Sequence, residues 1–507
     1  MAVTMAALGA SPAFAGKAED TFTWTTSTEM DTPDIYYGNQ REALITAYAN
    51  CDSLVHRDPM TNEYQPLLAT SWVWTDDKTF EIELREGVKF HDGTDFDAED
   101  VAYTLNHVAA PDSGMKLRTI VDWIDHVEVV NPHKVIIHAT TPTPAALEYL
   151  TGTAPMFPSG HYENAPEVPG ADNSTRRDWG AVTPVCTGPY KLVDYQAGQS
   201  LTLVKNDNYW EGSPKGKPSI GTIVYKTIKD PETQIAELMT GGVDWIWGVP
   251  PENADMLGEM ENLTVVSAPT MRMSFLALDA AGRTGADNPM TDIRVRKAVA
   301  HAIDREALTK NLVGEGSAVQ RSMCVPVQFG CETDVTQYEY DPAKSKALLA
   351  EAGYENGFDI DFYAYRDRPY SEAVLNYLRE VGINGNLQFL QWRALRPLIV
   401  GDKTAMAHLT LGSNGMLDSS ASTSYYFKHS SDDYARDVEV RDWLEAADTA
   451  TDPEKRKELY SKALKKIADQ AYNVPLFVYG RTYAFNKDLD YPVTPDEMAH
   501  FYLAKWK

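Results

Sequence analysis

The sequence is short of cysteine, of basic charge and of long apolar runs. Its 507 residues include 4 Cys, and none of these clusters with His at a zinc-like spacing. Lys and Arg number 46 against 73 Asp and Glu, a formal charge of −27. That balance argues against nucleic acid or an anionic membrane surface as a partner. It does not fix the charge of a ligand. After the first residues, no apolar stretch approaches the ~18 residues of a membrane-spanning helix. A G-x-S-x-G elbow, an H-E-x-x-H pair and a Walker A loop are all missing. No catalytic residue, metal ligand or cofactor is therefore nominated. Ser413 with a distant His is the one nucleophilic arrangement that can be proposed, and no motif supports it. Internal repeats and low-complexity tracts are absent as well.

What remains is an ordinary globular composition, 43% hydrophobic and 23% charged, in a chain too long for one core. The first residues are small and apolar and reach Ala13-Phe14-Ala15, an A-x-A cleavage signal. A basic region ahead of it is missing. Residues 1–15 are thus expected to be the remnant of a longer signal peptide, with no cysteine following to take a lipid. Export to an oxidising compartment suits disulfides. Cys324 and Cys331 close a short loop (CVPVQFGC), which would leave Cys51 and Cys186 as a long-range pair. Three pairings exist in principle, and spacing alone does not choose.

Residues 65–106 are the most legible stretch. Trp72 and Trp74 alternate with smaller residues, and Phe80, Ile82 and Leu84 alternate with charges, which predicts a hairpin. Asp97 with Asp100 predicts a capped helix start, and Val101, Leu105 and Val108 share one helical face. His91 beside the Asp92-Gly93 turn is a structural residue on this reading. Further on, a first strand is expected over 21–28, a helix over 41–55 and a hairpin over 124–140. A β-α-β unit is expected over 222–247, with Ile235, Leu238 and Met239 inward and Gly241 as helix cap. Strands and helices then alternate: strand 272–278, helix 293–312, strand 358–365, helix 370–381 and strand 386–392. Helices 438–450 and 453–470 and a strand at 474–479 close the pattern, an α/β arrangement.

The motifs along this path resemble those of the periplasmic solute-binding proteins of ABC importers, in the peptide/nickel-binding family. The resemblance starts at Pro66-x-Leu68-Ala69-x-Ser71-Trp72. It continues through Leu84-Arg85-x-Gly87-Val88-x-Phe90-His91-Asp92-Gly93 and Ala98-Glu99-Asp100-Val101. It is carried on by Thr187-Gly188-Pro189-Tyr190, with Cys186 in place of the family's glycine, and by Asn208-Tyr209-Trp210. Asp230-Pro231-x-Thr233, Val243-Asp244, and Val295-Arg296-x-Ala298 with Ala302-Ile303-Asp304-Arg305 extend it. It spans roughly the whole mature chain.

The resemblance implies a two-lobed α/β binding-protein fold of type II, with mixed sheets, an extra subdomain and a hinge. Residues 16–55, 185–270 and 480–507 would form lobe I, 56–184 its extra subdomain, and 271–479 lobe II. The function implied is capture of a small polar solute between the lobes and delivery to an ABC permease. A monomer without nucleic-acid partners, lodged in the periplasm, is expected. A sensory binding protein feeding a chemoreceptor is a further reading of the same resemblance.

Ligand residues are expected where the resemblance places the cleft. Trp24, Trp245 and Trp247 are candidate aromatic walls, each equally readable as core packing. Arg272, Arg366, Arg368 and Arg393 are candidate anion clamps, and surface ion pairing is the competing use of each. Trp392 adjoins Arg393. The loop Gly412-Ser413-Asn414-Gly415-Met416-Leu417-Asp418 matters most. Ser413 stands where peptide-binding members carry an amine-binding Asp, with Asn414 beside it and Asp418 further along. The default solute is a short peptide, and this departure widens the choice to an anionic amino-acid conjugate. Alternatives are an oligosaccharide, an opine, a metal chelate, or a secreted hydrolase in place of a binding protein.

Overall fold

In the computed structural model, the structure describes residues 16–38, 40–169, 174–412, 415–494, 496 and 498–507. The expected signal remnant at 1–15, and Ser413 and Asn414, lie outside the described residues. The fold is mixed α/β, as expected. An eleven-stranded sheet runs through the described residues in the order Tyr190–Gln196, Ser200–Lys205, Thr222–Thr227, Thr21–Thr26, Trp245–Trp247, Asn473–Asn486, Leu263–Leu278, Met406–Gly412, Phe358–Ala364 and Ile383–Phe389, with the short strand Ala318–Val319 added to Asn473–Asn486. The β-α-β unit forms, and its two strands flank Thr21–Thr26 on either side, both parallel to it. Gly241 caps its helix at φ 79°. Ile235 and Leu238 face inward, but Met239 is 38% exposed.

Two long antiparallel strands hold the halves of this sheet together. Leu263–Leu278 pairs with Asn473–Asn486 from Leu263↔Asn486 to Pro269↔Gly480, loses register, and resumes at Met273↔Val478. On one side of the break the neighbouring strand is Trp245–Trp247, and on the other it is Met406–Gly412. Glycine is required at 480, because a Cβ there would stand 2.2 Å from the Glu315 carbonyl oxygen. Each half has its own buried core, around Trp24, Tyr225 and Phe501 in one and around Leu276, Phe362 and Leu476 in the other. The C-terminal residues Phe501, Tyr502 and Ala504 pack into the first of these.

A separate four-stranded antiparallel sheet, in the order Ala69–Trp74, Thr79–Leu84, Lys134–Ala139 and Ile124–Asn131, has a third core. The expected hairpin and helix are both there. Asp97 accepts the Glu99 amide while Asp100 accepts the Asp97 amide, a complete capping box. Val101, Leu105 and Val108 are fully buried. Cys51–Cys186 and Cys324–Cys331 are both disulfide-bonded.

Two helices stop earlier than the periodicity suggests. The first ends at Asn50, and Cys51 turns extended. There the chain is tied by the disulfide and by Lys215, whose Nζ lies 3.0 Å from Asp52. Val55–Arg57 then becomes a strand against Tyr64–Pro66. The helix Ile293–Ala302 ends because Asp304 caps a new short helix, accepting the Ala307 amide at 2.9 Å.

Candidate functional site

A cavity of about 410 Å³ lies against the two long strands at their register break. One wall comes from the end of the first strand, Thr26 to Thr28, and from Gln40, Arg41, Glu42 and Leu44, where the helix Arg41–Asn50 begins. Trp247 and Arg481 belong to the same half of the sheet. Arg272 and Arg366 enter from the other half, and Leu117, Ile35, Gly38 and Met498 complete the lining. Four guanidinium groups and one carboxylate thus converge on a space of small-molecule size.

Local structure places each of these groups. Arg272 lies in the register break, where its amide donates to Thr270 Oγ1 at 3.2 Å, and that hydroxyl donates to the Tyr479 carbonyl at 2.8 Å. Its guanidinium lies close over Gly412, where a Cβ would come within 3.2 Å of Nη2. Arg366 follows the strand Phe358–Ala364 and precedes Asp367, which adopts φ 55°. The Tyr479 hydroxyl donates to the Asp367 carboxylate at 2.7 Å and fixes that turn. Arg481 and Arg41 stand over the Trp247 ring at 4.9 and 5.5 Å, cation–π distances. Glu42 accepts the Thr26 hydroxyl at 2.8 Å.

The loop carrying Ile35 and Gly38 is anchored by Asp34. Its carboxylate accepts the Tyr36 amide at 2.9 Å and the Tyr162 hydroxyl at 2.8 Å. Complete burial pushes this carboxyl up to about 7 against the pull of those two donors. Met498 is held through Asp496, which accepts its amide at 3.1 Å. Burial would raise the Asp496 carboxyl, but His500 and Arg57 outweigh it and bring it down to about 2.

Of the residues nominated from sequence, Trp247, Arg272 and Arg366 meet at this cavity, and six others do not. Trp24 and Trp245 are 2% and 0% exposed, packed with Tyr225 and Phe501 in the core. Their two strands lie side by side and bury both rings, and Trp247, the last residue of Trp245–Trp247, is the one that emerges. Arg368 points outward and pairs with Glu372 one helical turn on, at 2.8 Å. Trp392 is 44% exposed and packs on Tyr365, and Arg393 is exposed on the same helix. Asp418 is buried against Arg456. Arg41, Glu42, Arg481 and Met498 were not anticipated. In the sequence they are ordinary helix, strand and loop residues, and only the fold brings them together.

A larger cavity of about 900 Å³ lies between the four-stranded sheet and the segments around Phe329, Asp418 and Arg456, with Trp72 and Trp74 on the sheet side. Its polar walls are internally bonded: Asp418 to Arg456, and Gln328 to Val325, Met416 and Ser422. The smaller cavity, with converging charge at the junction of the two half-sheets, is the candidate site. Among the described residues, no group of three or more His, Cys, Asp or Glu is placed to hold a metal. No helix among them is long and apolar enough to cross a membrane.

Residues 63–434 match the family model of bacterial extracellular solute-binding proteins, family 5. The glutathione-binding protein GsiB of Salmonella typhi is 28% identical over 439 residues, 83% of this chain and 82% of that protein. GsiB of Salmonella paratyphi A is 31% identical over 326 residues, which cover 63% of this chain and 60% of that one. A dipeptide-binding protein from Pseudoalteromonas sp. SM9913, solved in complex with Met-Leu, superposes with a TM-score of 0.78 over 96% of this chain and 100% of that one, at 22% identity.

Proposed function

Since the chain belongs to the family 5 bacterial extracellular solute-binding proteins, we propose that its arginine-lined cavity binds an anionic peptide or peptide-like solute for an ABC importer. The observation that carries this reading is the meeting of Arg272 and Arg366 from one half of the sheet with Trp247, Arg41 and Arg481 from the other. A guanidinium pair suits the terminal carboxylate of a short peptide or an amino-acid conjugate. Glu42 in the same lining suits the solute's ammonium group. The likeness to glutathione-binding relatives supports a solute of this kind.

Capture follows from differential binding. A solute touching both lobes favours their closed arrangement by its extra contacts there. The permease then receives the closed, loaded form. In this reading the lobes are 16–55 with 185–270 and 480–507, and 271–479, with 56–184 as subdomain. The protein acts as a periplasmic monomer, catalyses nothing and binds no nucleic acid.

Native mass spectrometry of the purified protein, joined to calorimetry with glutathione and Met-Leu, tests the reading. Stoichiometric binding of an intact anionic peptide, weakened in Arg366→Ala, is the expected result. A co-purified neutral sugar, or turnover of a bound peptide, would overturn it.

A further inference from the structure

The main chain at Leu417 is bonded on both sides, to two different bodies of the protein. Its amide donates to Glu148 Oε1 at 2.8 Å. Glu148 belongs with the four-stranded sheet, is 2% exposed, and is itself held by Arg57 and by the Tyr64 hydroxyl, which donates to Oε2 at 2.6 Å. The Leu417 carbonyl accepts the Phe329 amide at 2.8 Å, and the Ser419 amide donates back to the Phe329 carbonyl at 3.1 Å. Phe329 lies in the loop closed by Cys324–Cys331. Next to it Gln328, 4% exposed, donates from Nε2 to the Met416 carbonyl at 3.3 Å. The Gln328 Oε1 accepts the Val325 amide and the Ser422 hydroxyl, so its orientation is fixed from three directions.

The same segment reaches the solute cavity and the opposing core. Met416 is buried in the core of the four-stranded sheet. Gly415, at φ 80°, packs against Met498, a residue of the cavity wall. Leu417 is therefore a plank between bodies: one edge meets a carboxylate of the subdomain, and the other is held by a disulfide-closed loop of the second lobe.

We infer that Gln328 and the Cys324–Cys331 loop are positioning elements for solute retention. They hold 416–419 in the register at which the Leu417 amide latches onto Glu148 and so keep the two bodies closed over the cavity. None of these groups lines the arginine-lined cavity, Gln328, Phe329 and Leu417 facing the larger one instead, so their action is on how long a solute stays and not on what it touches. Opening must break the Leu417–Glu148 bond, and a loosened segment breaks it more easily. This inference rests on the solute-binding reading above.

Stopped-flow release of glutathione, or of whichever solute co-purifies, measures the latch in the wild type, Gln328→Ala, Glu148→Ala and the double variant. Gln328→Ala should release solute about tenfold faster, with the association rate changed less than about twofold. Small-angle scattering should show more of the open form at equal saturation. Because both residues act through one peptide unit, their effects should fall short of multiplying in the double variant. A Cys324→Ala/Cys331→Ala variant repeats the test should Gln328→Ala fail to fold. Unchanged release, or effects that multiply fully, would overturn the inference. A purely structural role would lower the melting temperature of the empty protein and leave release unaltered. If glutathione and Met-Leu do not bind but a co-purified solute shows the expected kinetics, the peptide reading fails and the latch stands.

Discussion

Asp418 and Arg456 form a buried ion pair, both carboxylate oxygens lying 3.0 Å from Nη2 of the guanidinium. The side chains are 8% and 5% exposed. The same carboxylate caps the Ser420 amide at 3.0 Å and approaches the Tyr460 hydroxyl at 3.4 Å. From the sequence, Asp418 is a candidate for the solute's amino group. Its actual partner lies 38 residues downstream, on the helix Pro453–Asp469. Neutralising it leaves Arg456 buried and unmatched. Asp418→Asn should therefore cost about 3–5 kcal/mol of stability, measured by guanidinium unfolding. A ligand role would give the reverse result, lost affinity with stability intact.

Arg366 should behave in the opposite way. It is exposed at the cavity, and its structural neighbour Asp367 carries the bond to Tyr479. Arg366→Ala should weaken binding of an anionic peptide by roughly 1.5–3 kcal/mol, the worth of a hydrogen bond to a charged group. The melting temperature without solute should stay within about 1 °C. Calorimetry at low and high salt would check the cause, since the wild type should lose more affinity with salt than the variant.

The contrast between Asp418 and Arg366 shows what the sequence can carry. Capping, alternation and family motifs are local, so the hairpin at Trp72, the capping box at Asp97 and the β-α-β unit at Thr222–Trp247 were legible. Asp418 sits in a loop whose chemistry depends on Arg456, and nothing local encodes that pairing. Arg481 joins Arg41 across 440 positions of sequence only because the chain ends return to the first half of the sheet. The helix ends at Asn50 and Ala302 have two different causes: long-range ties at Cys51 and Asp52 stop the first, and at the second the local cap of Asp304 on Ala307 restarts the helix within an unbroken apolar pattern.

Asp34 makes a pH-dependent contribution with a definite sign. Its folded carboxyl titrates at about 7 against 3.8 in the unfolded chain. Between those values the folded state holds a proton that the unfolded state has lost. The contribution is complete below pH 3.8 and is lost as pH rises through about 7, at roughly 1.4 kcal/mol per unit. The buried histidines His56, His161 and His408, lowered to about 3, 4 and 4 by burial, act in the other direction below pH 6.5. The effect must therefore be read as a difference. The stability of Asp34→Asn relative to wild type should increase from pH 4 to pH 7 and then level off. A flat difference across that range, in urea melts at half-unit steps, would remove Asp34 as a buried titrating anchor of the cavity loop.

Trp245 and Trp247 stand two residues apart on one strand and should give separable phenotypes. Trp245 is fully buried, with Phe501, Tyr483 and Tyr491 at ring distances of 5.2, 5.7 and 6.0 Å. Its removal leaves a large void, so Trp245→Ala should cost about 3–5 kcal/mol of stability, with the surviving folded protein still able to bind. Trp247 is half-buried at the cavity, its ring faced by Arg481 and Arg41. Trp247→Ala removes the platform that sets where those two guanidiniums point, and each such contact is worth about 0.5–2 kcal/mol. The expected result is a roughly tenfold loss of affinity for an anionic peptide with stability reduced by no more than about 1 kcal/mol. Trp247→Phe keeps an aromatic face and should recover most of the loss. Equal destabilisation by the two alanine substitutions, with affinity unaffected at position 247, would place Trp247 in the core beside Trp245 and leave the cavity without its aromatic wall.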